Sequence, residues 1–293
     1  MKPANDNIEQ PGYWTEEILP KTSLLDLRLK EVWRYKDLLV MFVKRDFVAT
    51  YKQTILGPIW NFVQPILTTI MFLIVFSKIA GIDTEGINTI SFYLSSITIW
   101  NYFANCLTGT SNTFVANAGI FGKVYFPRLI LPLSICLSNV IKFGVQFLLL
   151  LAIMVIVAVR EHHFYFGWTW LLVPFLVLIM AGLGLGCGII ISSLTTKYRD
   201  FAVLITFGIQ LLMYATPVAY PLSYLMQKSS YAWLFNINPL SPILEAFRYA
   251  IFHSPRQHFN FGTLWYSVAF MVVTLIIGTL LFNKVERSFM DTV

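Results

Sequence analysis

Residues 43–65 read VKRDFVATYKQTILGPIWNFVQP. The stretch opens basic, closes apolar and carries Gly57-Pro58 at the join. Upstream of the join the pattern is helical from about residue 24. Tyr35, Leu39, Phe42, Val43 and Phe47 share one face. Arg34, Asp37, Lys44, Arg45 and Lys52 share the other, while Lys36 and Asp46 intrude on the apolar side. A basic amphipathic helix of this kind suits the membrane interface. A solvated helix packed on a soluble partner would show the same pattern. Downstream, residues 56–76 form an apolar run. At ~1.5 Å rise per residue it covers the ~30 Å hydrocarbon core, with Pro58 in the first turn where proline is tolerated.

Working outward, five more apolar runs follow. They span residues 90–110, 129–159, 168–194, 201–222 and 261–282. The second run is interrupted by Trp100-Asn101-Tyr102 and Asn105, and the third contains Lys142. The fourth carries Gly182, Gly184, Gly186 and Gly188 at small-x-x-x-small spacing, which lets helices approach closely within the bundle or against a second copy. Residues 223–260 contain two apolar pieces, 231–237 and 242–252, both too short to cross. Pieces of that length are typically re-entrant or interfacial. Asn238-Pro239 and Pro242 break the backbone between them, which membrane depth tolerates only where protein or water satisfies the freed groups. The expected fold class is all-α: a polytopic membrane protein with six transmembrane helices, an N-terminal amphipathic interfacial helix and re-entrant helices between spans five and six. The expected layout is a polar tail over 1–23, the interfacial helix over 24–55, the six-span domain over 56–285 and a C-terminal tail over 286–293.

Composition agrees. Only 12% of the residues are charged, against about a quarter in a soluble domain, and the mean hydropathy is +0.67. The net charge of +6 lies at the ends of apolar runs and not in a basic stripe, so no nucleic-acid partner is expected. Lys and Arg concentrate in 1–55, 111–128, 195–200 and 283–293, which places both termini in the cytoplasm. No cleavable leader is visible in the first 50 residues, so span one is expected to act as its own insertion signal. Cys106, Cys136 and Cys187 fall inside apolar runs without metal spacing and read as small buried hydrophobes.

Several chemistries are not supported. The nearest approach to a phosphate-binding loop, Gly119 to Val124, lacks the glycine spacing and the hydroxyl for magnesium. There is no G-x-S-x-G. His162-His163 reads as a polar loop, and no metal site is expected. Spans one to five hold no Asp or Glu, which argues against proton or sodium coupling. The short basic-aromatic loops NAGIFGKVYFPRLILPL (117–133) and TTKYRD (195–200) could dock into a groove on a soluble partner, or could simply set topology.

The stretches KRDFVATYKQTILGPIWNFVQP, KVYFPRLILPLS, KYRDF, ATPVAYPLSYL and NPLSPILEAFRYA, in that order, resemble the membrane subunit of type-two ABC exporters of polysaccharides, the O-antigen and teichoic-acid export family. The resemblance covers about residues 24–285. It implies a non-enzymatic transport subunit in the bacterial inner membrane that exports a lipid-linked polysaccharide. It implies no cofactor in this chain, ATP and magnesium in a separate ATP-binding subunit present in two copies, and a second copy of the chain. The segment over 115–128, with Gly119, Ile120, Phe121, Gly122, Lys123, Val124, Tyr125, Phe126 and Pro127, is similar to the family's coupling helix. The basic helix is similar to its gate helix, where Arg34, Lys44, Arg45 and Lys52 could hold an anionic lipid headgroup or serve only as positive-inside anchors. Asn238, Pro239, Glu245 and Arg248 fall in what resembles the periplasmic gate. Glu245 and Arg248 are spaced to pair, with or without a gating role. A sugar polymer presents hydroxyls and apolar ring faces, which aromatic side chains match. The candidate conduit residues are therefore Trp60, Tyr93, Trp100, Tyr102, Phe103, Tyr214 and Tyr220, with Lys142, which lipid disfavours. An exporter of a drug or small lipid, a membrane transferase on lipid-linked sugars and a scaffold are the rival readings.

Overall fold

The structure is a computed structural model and describes residues 29–52, 57–121, 126–161, 167–196, 198, 200–228, 233–254 and 259–289. Every regular element among them is helical. In chain order these are α1 (Leu29–Arg34), α2 (Lys36–Tyr51), α3 (Trp60–Phe72), α4 (Thr89–Ser111), α5 (Thr113–Ala116), α6 (Ala118–Phe121), α7 (Ile130–Glu161), α8 (Leu172–Thr195), α9 (Phe201–Tyr214), α10 (Leu222–Lys228), α11 (Trp233–Ile237), α12 (Ser241–Phe252) and α13 (Gly262–Phe289). α3 runs on through a π-helical segment, Leu73–Ile79.

Among the described residues, four helical stretches are long and apolar enough to cross a membrane: Trp60–Ile79, Ile130–Arg160, Trp168–Thr195 and Gly262–Val285. The other two expected spans differ for separate reasons. α4 has the length, but its asparagines, serines and threonines keep its hydropathy low. α9 is apolar but stops after 14 residues. It would reach only ~21 Å, short of the ~30 Å core. The chain then turns through residues 215–221, where Pro217 and Pro221 cannot continue a helix.

The bundle is organised on α4 and α8. α4 packs against α3, α7 and α8, α13 lies along α8, and α2 lies along α7. The four glycines of α8 make two seams back to back. A Cβ on Gly182 or Gly186 would collide with Met271, Thr274 or the Leu275 backbone of α13. On Gly184 or Gly188 it would collide with Cys106 or Thr110 of α4. Alternate glycines therefore serve opposite neighbours, and both seams lie within one chain. The Thr110 hydroxyl donates to the Gly184 carbonyl at 3.2 Å, and Thr195 donates to the Ser111 carbonyl at 3.0 Å. Such interhelical bonds contribute about 0.6 kcal/mol each in a membrane bundle.

At the junction quoted first, Gly57 has φ +48°, a left-handed conformation that a side chain would strain. A single 3-10 turn, Gly57–Ile59, then starts α3. The residue pair at the join is thus a true break between α2 and α3.

Candidate functional site

The N-terminal end of α4 is enclosed. From Ser91 to Trp100 every side chain is buried, with Phe72 of α3 against Tyr93 and Arg248 of α12 against Phe92 and Ser96. The C-terminal half presents a stripe of neutral polar residues. Asn105 and Thr108 are exposed, with Asn101 and Asn112 half-buried beside them. Their spacing of four, three and four residues keeps them on one face. The Asn101 carboxamide donates to Gln146 of α7 at 3.5 Å, at the long limit of a hydrogen bond.

Four of the aromatic residues expected from sequence to line a conduit point into the bundle. Tyr93, Trp100, Tyr102 and Phe103 are all buried in the bundle. Tyr93 meets the Phe72 ring at 6.0 Å, Tyr102 meets Phe143 at 5.4 Å, and Trp100 meets Phe103 at 5.6 Å. Large rings bury the most area, and here they fill the interior of the fold. Trp60 and Tyr214 are exposed, and Tyr220 is half-buried with its hydroxyl donating to the Tyr214 carbonyl. Lys142 is half-buried on α7. The carboxamide stripe was visible in sequence only as interruptions of span two; a count of polar residues on one helical face would have found it.

A second region joins α2 to the segments beside 122–125. Phe42, Phe114, Phe126, Ile130, Leu131, Ile189 and Phe282 form one apolar cluster, with Tyr35, Leu38, Leu39 and Ile120 packed against it. The Phe42 and Phe126 rings lie 5.8 Å apart, and Phe114 stacks on Phe282 at 4.5 Å. Gly119 is exposed, and Gly122, Lys123, Val124 and Tyr125 lie outside the described residues. Arg34, Lys44, Arg45 and Lys52 are all exposed. The Arg45 guanidinium lies 4.7 Å over the Phe42 ring and pairs with Asp46 at 2.8 Å.

The third region centres on Arg248 of α12, which is fully buried. Its guanidinium lies 4.5 Å from the Phe92 ring centroid and donates to the Ser96 hydroxyl at 3.3 Å, the Pro217 carbonyl at 3.0 Å and the Glu245 carboxylate. Glu245 also accepts from the Leu222 backbone at 3.1 Å. The expected pair therefore forms, but inside the protein. Asn238 ties the same region down, donating to the Ala215 carbonyl at 3.0 Å and the Thr216 hydroxyl at 2.8 Å. The carbonyl of its neighbour Pro239 accepts from Ser267 of α13 at 2.7 Å. Nearby, the Glu85 carboxylate accepts from the Ser223 hydroxyl. Burial pushes the Glu85 carboxyl above its ordinary value, and Glu245 and Asp83 add to the rise. The Ser223 hydrogen bond and Arg248 oppose it.

Cys106 and Cys136 are buried free thiols and Cys187 is half-buried. Among the described residues no group of His, Cys, Asp and Glu is placed to hold a metal ion.

The family model for ABC-2 type transporters matches residues 37–252. An O-antigen export system permease protein RfbA of Klebsiella pneumoniae is 27% identical over 255 residues, covering 87% of this chain and 94% of that protein. A protein of the same name from Myxococcus xanthus is 25% identical over 266 residues, covering 90% and 98%.

Proposed function

On the premise that the chain belongs to the ABC-2 type transporter family, we propose that it exports a lipid-linked polysaccharide across the bacterial inner membrane. It is the transmembrane subunit of an ABC exporter, a multi-pass membrane protein. In this reading α4 makes a fifth span, α9 together with the turn over residues 215–221 makes a sixth, both termini are cytoplasmic, and the residue 223–260 region is re-entrant from the periplasmic side. Two copies of the chain enclose the path, and two copies of an ATP-binding subunit supply ATP and magnesium.

The observation that carries the reading is the exposed face of α4. A helix of membrane-spanning length that turns its aromatic rings inward and leaves Asn105 and Thr108 outward is built to meet something polar within the membrane. Trp60, Tyr214 and Tyr220 flank the path and offer sugar rings flat apolar surfaces. At the cytoplasmic end the segment over 115–128 receives the ATPase stroke. Phe126 passes it to Phe42, and so to α2, through the apolar cluster. The exposed Arg34, Lys44, Arg45 and Lys52 then hold the anionic headgroup of the carrier lipid. At the other end α12, held by Arg248 and Glu245, closes the path until the stroke.

The test is purification of the tagged chain from its native membrane in mild detergent, with mass identification of what accompanies it. A soluble protein with a phosphate-binding loop in equal amount is the expected result. A lone chain that stays folded across mild detergents would overturn the reading.

A further inference from the structure

The polar path and the gate helix differ in charge. Residues 57–77, 87–117 and 201–221 contain no Asp, Glu, Lys, Arg or His. These segments make up α3, α4 and α9, and α3 and α9 both pack against α4. The polar positions that they expose are Gln64, Asn105, Thr108, Thr206 and Gln210, all carboxamides or hydroxyls. Lys142 lies half-buried on α7, outside these three segments. Exposed cations stand beyond the ends of these segments: Lys44 and Arg45 on α2, before the break at Gly57, and Lys78 where the span begun by α3 finishes.

We propose that this path is built for an uncharged glycan chain, carried on an anionic lipid, and against polyanionic polymers. The inference rests on the export reading and narrows its substrate. Each carboxamide offers two donors and an acceptor, and each hydroxyl offers both functions, so together they can match a sugar hydroxyl in either sense. Neutral hydrogen bonds of this kind are worth only about 1 kcal/mol net, weak enough for a chain to move past them. A phosphate or carboxylate on each repeat would instead bring a charge into a low-dielectric wall without a cation to meet it. The headgroup is met once, at the entrance, by the basic residues of α2. The polymer is met repeatedly, by groups without charge.

The test is made in the bacterium that carries the chain. Its gene is deleted, and the lipid-linked polymer that disappears from the surface and accumulates inside is extracted and analysed for phosphate, carboxylate and sulfate. A polymer free of all three is the expected result. Accumulation of a charged polymer would overturn the inference and leave the export reading standing. No accumulated polymer would overturn the export reading and the inference with it. In complemented cells, Asn105→Leu with Thr108→Val should lower surface polymer about tenfold at equal chain level, the equivalent of one or two neutral hydrogen bonds. Asn105→Gln, which keeps the carboxamide, should restore it. Wild-type export by the double variant would show that the path lies elsewhere and overturn the inference. If the double variant fails to accumulate in the membrane, the composition of the polymer decides alone.

Discussion

α7 and α4 pack side by side and are built inside out relative to each other. From Leu137 to Val159 the exposed positions of α7 are all aliphatic, while Ser138, Asn139 and Gln146 are turned inward. α4 buries Phe92, Tyr93, Trp100 and Tyr102 and leaves Asn105 and Thr108 outside. α13 exposes aromatic and aliphatic residues from Trp265 to Ile277, with Ser267 and Thr274 turned in. The two patterns divide the perimeter into surface that lipid can cover and surface that it cannot. Hydropathy is a property of a whole helix, whereas function here depends on which side of it is polar.

The largest expected effect tests why the two halves of α4 differ. Arg248→Met leaves Glu245 without its guanidinium in a buried site. Breaking such a pair costs about 3–5 kcal/mol. α12 should detach, and the enclosed Ser91–Trp100 half of α4 should become open to proteolysis and hydrogen exchange. Unchanged exchange there would mean that packing alone holds α12 in place.

The next effect sets the two helices directly against each other. Leu148→Lys puts a cation on the apolar perimeter, at a cost of about 2.5–3.5 kcal/mol near the membrane centre. The amount of chain inserted in the membrane should fall sharply. Asn105→Lys on α4 should leave insertion close to normal, and equal losses for both would remove the distinction. A smaller effect sharpens the interior. Gly188→Val drives a side chain into Thr110, so α4 and α8 must separate, at about 1–3 kcal/mol. A thermal melt of the purified protein would register it.

The smallest effect concerns Glu85, outside the spans. Its carboxyl is raised by burial, so folding favours the protonated form. That contribution is present below the unfolded value and is lost as pH rises through the folded one. Glu85→Gln should therefore stabilise the protein slightly at neutral pH and flatten this part of its pH profile. Destabilisation at neutral pH would contradict the assignment.

Much of the fold was legible because hydrophobic run length and proline position act locally. The boundaries of α3, α7, α8 and α13 fall close to the apolar runs, and Gly57-Pro58 marks a real break. The glycine run announced close packing, but only the structure shows that alternate glycines serve α13 and α4. The site was less legible because direction is a tertiary property. Tyr93 and Tyr214 look alike in sequence, yet one is buried in the bundle and the other is open. Arg248 and Glu245 were spaced to pair, but nothing local says that Ser96 and Pro217 from distant segments would enclose them.

Export through this bundle requires the Asn105 face of α4 to meet water within the membrane while the Val155 face of α7 meets lipid. The most direct measurement is the rate at which Asn105→Cys and Val155→Cys, each in the intact complex in native membranes, react with a water-soluble maleimide above the background of the unsubstituted chain. Only a hydrated thiol ionises and reacts. Rapid labelling at residue 105 and almost none at residue 155 is the expected result. Equal rates, or faster labelling at 155, would contradict it.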